Sequence, residues 1–135
     1  MEPWLNFLHR MKNATKTVRI GLVGKYVELP DAYKSINESL FQAATYNDRK
    51  LDLQYIHSEK LNSGNVDAML SSLDGVLIAP GFGQRGIEGK FIALKYAREH
   101  DIPTFGVCLG MQCMVIEYAR DVLGYTDANS TEMDV

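Results

Sequence analysis

The stretch from Ile102 to Gln112, IPTFGVCLGMQ, constrains the fold more than any other part of the chain. The apolar segment Ile102–Val107 reads as a strand. A helical repeat follows at once: Met111, Met114, Val115, Tyr118, Ala119 and Val122 recur at i, i+3, i+4, i+7, i+8 and i+11. A strand that passes into a helix with no loop between them must turn sharply, and Cys108 sits at the turn. Gly106 and Gly110 flank it at G-x-C-x-G spacing, the cysteine counterpart of the G-x-S-x-G nucleophile elbow. Glycines two residues either side spare such a turn from side-chain collisions. The turn lifts the sulfur out of the sheet, and a helix N-terminus behind a thiol favours its thiolate. The amide of Leu109 then points where an oxyanion would form. The plainer reading is a buried structural cysteine beside a glycine.

The rest of the chain repeats the strand-to-helix theme. Val18–Val23 is apolar enough to be buried on both faces, as is Gly75–Ala79. Leu51, Leu53 and Tyr55 alternate with polar residues before Ile56, which predicts a strand with one face less buried. Helical patterns separate these strands. Tyr33, Ile36, Leu40, Ala43 and Ala44 follow a loop through Pro30 and a candidate cap at Asp31, and Asn47-Asp48 closes that helix. Val66, Met69, Leu70 and Leu73 follow Asn65, and Ile87, Phe91, Leu94 and Ala97 mark the next helix. Gly124 suits the end of the last one. Four strand–helix units predict a doubly wound, mainly parallel α/β sheet of the flavodoxin-like kind. In such a sheet the glycine-rich loop Pro80–Gly86 and the Cys108 turn follow successive strands at one end, so they can form one site.

Residues 1–16 differ. Trp4, Leu5, Phe7, Leu8 and Met11 form a short amphipathic helix, and Lys12–Lys16 reads as a polar linker, so this segment is expected to be a connector whose aromatic side chains want a partner surface. Gly21–Lys25 lacks the spacing of a phosphate loop, and Tyr26 stands where Ser or Thr is needed. His57 and His100 read as structural or solvated.

The chain has 135 residues, enough for one domain. Its net charge of −3 and lack of a basic stripe speak against nucleic-acid binding. Cys108 and Cys113 lie at the start of one helix, a spacing that does not suggest a disulfide, so a reducing, cytoplasmic setting is expected. The longest apolar run, Gly75–Ala79, is far too short to span a bilayer, and a signal-peptide pattern is lacking.

Four stretches are more specific: VGKYVELPDAYKSINESL, APGFGQRGIEGK, GVCLGMQ and DANSTEMD. Together they resemble the glutamine amidotransferase domain of the CTP synthase family, from about Val18 onward. Residues 1–16 resemble the linker from that family's synthetase domain, and residues 17–135 its amidotransferase domain, first half only. GxCxGxQ alone fits any class I amidotransferase with a cysteine–histidine–glutamate triad.

The resemblance implies that Cys108 attacks the side-chain amide of L-glutamine. Leu109 and Gly81 supply the oxyanion amides, the segment Leu109, Gly110, Met111 and Gln112 binds glutamine, and Glu132 holds its α-amino group. It implies no metal in this part of the chain. Ammonia would serve a synthetase domain that uses Mg and ATP to convert UTP to CTP, with GTP as activator, in a homo-oligomer. One departure is Pro80-Gly81, where many members carry two glycines; proline has no N–H, so Gly81 alone can donate there. Another is the triad: His9, His57 and His100 all precede Cys108 and none sits in the family's H-x-E pair. The site is therefore expected to be incomplete within this sequence. Two other classes compete with this reading. A cysteine-elbow hydrolase or chaperone-like protein of the same fold is disfavoured by Gln112 and Glu132, and a non-catalytic module is favoured only if the natural product ends at Val135.

Overall fold

The computed structural model describes residues 1–29 and 31–133. Pro30, Asp134 and Val135 lie outside the described residues, and with them one position of the loop expected before Asp31 and the end of the DANSTEMD stretch. A helix α1 (Glu2–Asn13) precedes strand β1 (Lys16–Gly24). Then follow α2 (Lys34–Tyr46), β2 (Arg49–His57), a 3-10 turn (Ser58–Lys60), α3 (Val66–Leu70), β3 (Gly75–Ile78), α4 (Ile87–Glu99), β4 (Thr104–Gly106) and α5 (Leu109–Asp121).

The sheet is parallel throughout, in the order β2-β1-β3-β4. Lys16 to Gly24 pair with Arg49 to His57, Ile20 to Val23 with Gly75 to Ile78, and Val76 to Ile78 with Thr104 to Gly106. Parallel strands put all four C-terminal ends on one edge. Lys25, His57, Pro80 and Cys108 all lie at or just beyond it.

The expected strand–helix alternation holds, with differences that have physical reasons. Asp31 does not cap α2: the helix starts after Tyr33 without a side-chain cap, and the Asp31 carbonyl closes a turn instead. Asn65 precedes α3 as expected, but its side-chain oxygen accepts from the Asn62 amide rather than from the helix. The apolar stretch at Ile102–Val107 yields only a three-residue strand. Among the described residues β4 forms one edge of the sheet, with Phe105 exposed. His100 is exposed, yet its ring stacks on Tyr96 at 3.9 Å. No helix among the described residues is long and apolar enough to cross a membrane.

One sheet face carries α3, α4 and α5 over Val23, Ile56, Val76 and Ile78. The other carries α2 over Leu22, Leu77 and Ala79. Each fully buried aliphatic side chain contributes about 1.5–3 kcal/mol. α4 and α5 are joined by a bidentate ion pair in which Arg98 donates to Glu117 at 2.7 and 3.0 Å, with the carboxylate buried. Helix α1 lies on α2. Trp4 stacks on Phe7 at 5.5 Å, Phe7 meets Phe41 edge-on, and Trp4 remains 60% exposed.

Candidate active site

The turn from β4 into α5 holds Cys108 at φ 53° and ψ −114°. Asp48 and Asp101 also have positive φ, but an aspartate tolerates the left-handed region, whereas the ψ of Cys108 lies outside that basin altogether. Such a backbone costs on the order of 1–3 kcal/mol and persists only if its surroundings enforce it. The Val107 N–H donates to the Ile78 carbonyl at 3.1 Å, Gly110 N–H to Val107 O at 2.9 Å, and Gln112 N–H to Cys108 O at 3.1 Å. The two glycines are required by space. A Cβ on Gly106 would lie 2.5 Å from the Met111 nitrogen, and one on Gly110 would run into the Ile78 carbonyl oxygen.

The two cysteines have separate environments. Cys108 is exposed, whereas Cys113, one turn further into α5, is fully buried. Burial pushes the Cys113 thiol above its ordinary range, partly offset by the Lys90 ammonium. A buried protonated thiol is a packing group.

Loop 80–86 leaves β3 beside this turn. A Cβ placed on Gly81 would be 4.0 Å from the Leu109 side chain. Among the described residues neither the Gly81 N–H nor the Leu109 N–H has a hydrogen-bond partner. Leu109 opens α5, where the first amides have no intrahelical acceptor. Two lysines anchor the loop from below: the buried Lys25 ammonium donates to the Phe82 carbonyl, and Lys90 donates to Ala79 O at 2.8 Å.

The remaining predicted residues also converge here. Gln112 Nε2 donates to Glu132 Oε2 at 2.9 Å, and Ser130 Oγ donates to Gln112 Oε1 at 2.5 Å. Gln84 Nε2 reaches the Met133 carbonyl at 2.8 Å, linking loop 80–86 to the segment that carries Glu132. Met111 stands beside Gln112 with its side chain half exposed, while Gly110 is buried against β3. Lys25, Lys90, Ser130 and Gln84 had been missed. Sequence patterns assign lysine to the surface by default, and only the strand-end position of Lys25 offered a hint.

The three histidines lie elsewhere. His9 is on α1, and His100 follows α4 at the opposite end of the sheet. His57 shares the site's edge but ends β2, three strand spacings from β4, roughly 14 Å away. Its ring is engaged with Glu59, whose amide donates to Nδ1 at 3.3 Å.

A cysteine on a strand-to-helix elbow, beside a loop with an unpartnered amide in a parallel α/β sheet, defines a class. The family model for class I glutamine amidotransferase matches residues 28–134, and the chain belongs to that family. Its relatives narrow the class. The CTP synthase of Bacteroides fragilis is 69% identical over 132 residues, covering 98% of this chain and 25% of that protein. The CTP synthase of Porphyromonas gingivalis is 64% identical over 134 residues, again covering 25% of its length. The chain thus spans about a quarter of the length of these relatives. A solved structure described as the glutaminase domain of Trypanosoma brucei CTPS with bound acivicin is 43% identical. It aligns with a TM-score of 0.78 over 87% of this chain and 46% of its own.

Proposed function

We propose that these residues form the nucleophile-bearing part of the glutaminase site of a CTP synthase, with Cys108 as nucleophile. The observation that carries this reading is the Cys108 backbone, φ 53° and ψ −114°, at the mouth of α5. Sγ attacks the side-chain amide carbon of glutamine, and the carbonyl electron pair moves onto oxygen. The Gly81 and Leu109 amides stabilise that oxyanion. Collapse breaks the C–N bond, ammonia leaves with an added proton, and a glutamyl thioester remains, which water hydrolyses to glutamate. Gln112 and Glu132 hold the amino-acid end, with the carboxylate facing the substrate ammonium.

The proton must be taken from the thiol and returned to the leaving nitrogen. None of the three histidines stands at Cys108, so in this reading the triad's histidine and glutamate come from outside these 135 residues. The ammonia serves ATP-dependent conversion of UTP to CTP in a synthetase domain, to which residues 1–16 are the connector; GTP activation and homo-oligomerisation belong to the same reading, as does a cytoplasmic setting.

The test is Cys108→Ala in the full natural protein that carries this sequence. Glutamine-dependent CTP formation should vanish while ammonia-dependent formation persists, because Cys108 makes ammonia and does not touch UTP. Loss of both activities in a folded variant would overturn the assignment.

A further inference from the structure

Lys90 is a lysine placed where a lysine is costly. It sits in the first turn of α4, is 1% exposed, and donates to the carbonyl of Ala79 at 2.8 Å. Ala79 is the residue at which the chain leaves β3. Its own amide is spent on the Val23 carbonyl at 2.9 Å, and the following residue, Pro80, has no N–H to offer. The Ala79 carbonyl therefore points into the protein at the root of the loop, and the Lys90 ammonium is what receives it. On the far side of Gly81 the Phe82 carbonyl takes the Lys25 ammonium. Gly81 lies between the two: a Cβ there would be 3.8 Å from Lys90 Nζ and 3.5 Å from Lys25 Cε. With the Pro80 φ locked and the carbonyls of Ala79 and Phe82 held on either side, the backbone that carries the Gly81 N–H is restrained at both ends.

A lysine is a costly choice for this hydrogen bond: the buried ammonium meets a carbonyl and no carboxylate partner among the described residues, so its desolvation is repaid only in part. Burial pushes the Lys90 ammonium below its ordinary range, with Cys113 opposing the shift and the neighbouring Lys25 adding to it. A group that folding disfavours, held against the loop of a reactive cysteine, has the signature of a residue kept for activity.

We propose that Lys90 is a positioning residue of the glutaminase site: by holding the Ala79 carbonyl it aims the Gly81 N–H at the oxyanion formed on Cys108. This rests on the glutaminase reading above. In the full natural protein, Lys90→Met should lower kcat for glutamine hydrolysis about tenfold, less than the 10²–10³ lost when an oxyanion donor is removed outright. KM should stay unchanged, because the Glu132 end of the site is untouched, and Tm should fall only modestly, by the loss of one buried hydrogen bond. Lys90→Gln, which restores a neutral donor, should recover part of kcat. Should Lys90→Met fail to fold, Lys90→Gln alone decides: kcat below wild type at unchanged KM supports the proposal. Wild-type kcat in either folded variant overturns it, as does a joint change in kcat, KM and Tm, which marks a merely structural role. Cys108→Ala assayed alongside separates the two levels. If Cys108→Ala keeps glutamine turnover, the glutaminase reading falls; if it is inactive while Lys90→Met is fully active, only the role of Lys90 falls.

Discussion

Glu132 is exposed, and among the described residues its carboxylate is engaged by the neutral amide of Gln112, at 2.9 Å, and by no cation. An acidic group held in place by neutral donors keeps its charge available to an incoming ammonium. Glu132→Ala should therefore weaken glutamine binding by about 1.5–3 kcal/mol, the worth of a hydrogen bond to a charged group. The loss should appear in KM at least as much as in kcat, since the α-amino group is remote from the bond that breaks. Glutaminase kinetics of the variant check this, and an unchanged KM would remove Glu132 from the site. Cys108 and the glycines about it were legible in the sequence because a tight turn tolerates few residue types. Ser130, Gln84 and the two lysines were not, because their roles depend on what they reach across the fold: Lys25 and Lys90 become neighbours only when β1, β3 and α4 have packed.

Helix α5 shows what periodicity can and cannot reveal. Of the apolar positions that predict it, Met111, Val115, Tyr118 and Val122 are exposed in the structure and Met114 and Ala119 half-buried; the buried face is Leu109, Gly110, Cys113, Ile116 and Glu117. The helix is apolar on two sides, and a carboxylate in the buried face disguises it, because the Arg98 partner comes from α4. Period alone identifies the element but cannot say which stripe faces the sheet. The first turn of α5 is positioned by contact with β3, which gives a direct prediction. Gly110→Ala should push α5 away from the Ile78 carbonyl and destroy the elbow, costing more than the 1–3 kcal/mol of ordinary overpacking because the obstacle is backbone. Gly124 is the control. It has φ 78°, lies two residues beyond the α5 cap at Val122, and has nothing within 4 Å, so Gly124→Ala carries only the conformational cost of about 1 kcal/mol. Alkylation of Cys108 and thermal melts should separate them. In the full natural protein Gly110→Ala should change the rate at which Cys108 is alkylated, and Gly124→Ala should leave it unchanged. A Gly110→Ala variant with normal Cys108 reactivity would show that the elbow does not depend on this contact.

At the scale of the molecule, the sheet is covered unevenly. Three helices cover one face, while on the other α2 leaves the β3–β4 region open. Leu40, Leu77, Phe105 and Val107 line an apolar depression of about 370 Å³ there, with Phe105 66% exposed. The outer stripe of α5 adds Val115 at 62% and Tyr118 at 49%. Apolar surface of this kind seeks a partner, and among the described residues β4 presents an unpaired strand edge beside the depression. A polypeptide of residues 1–135 alone is therefore expected to self-associate, which sedimentation at several concentrations will reveal; a well-behaved monomer would refute the exposure argument. The same polypeptide should release no appreciable ammonia from glutamine. Amide nitrogen leaves poorly without a proton, and His57, the histidine at this edge of the sheet, ends β2 three strand spacings from β4 and is turned toward Glu59. Iodoacetamide, whose leaving group needs no proton, should still alkylate Cys108 slowly. Ammonia release at the rate of the full natural protein would mean that His9, His57 or His100 acts as the base, and the incomplete-triad reading would fail even if the Cys108 assignment stood.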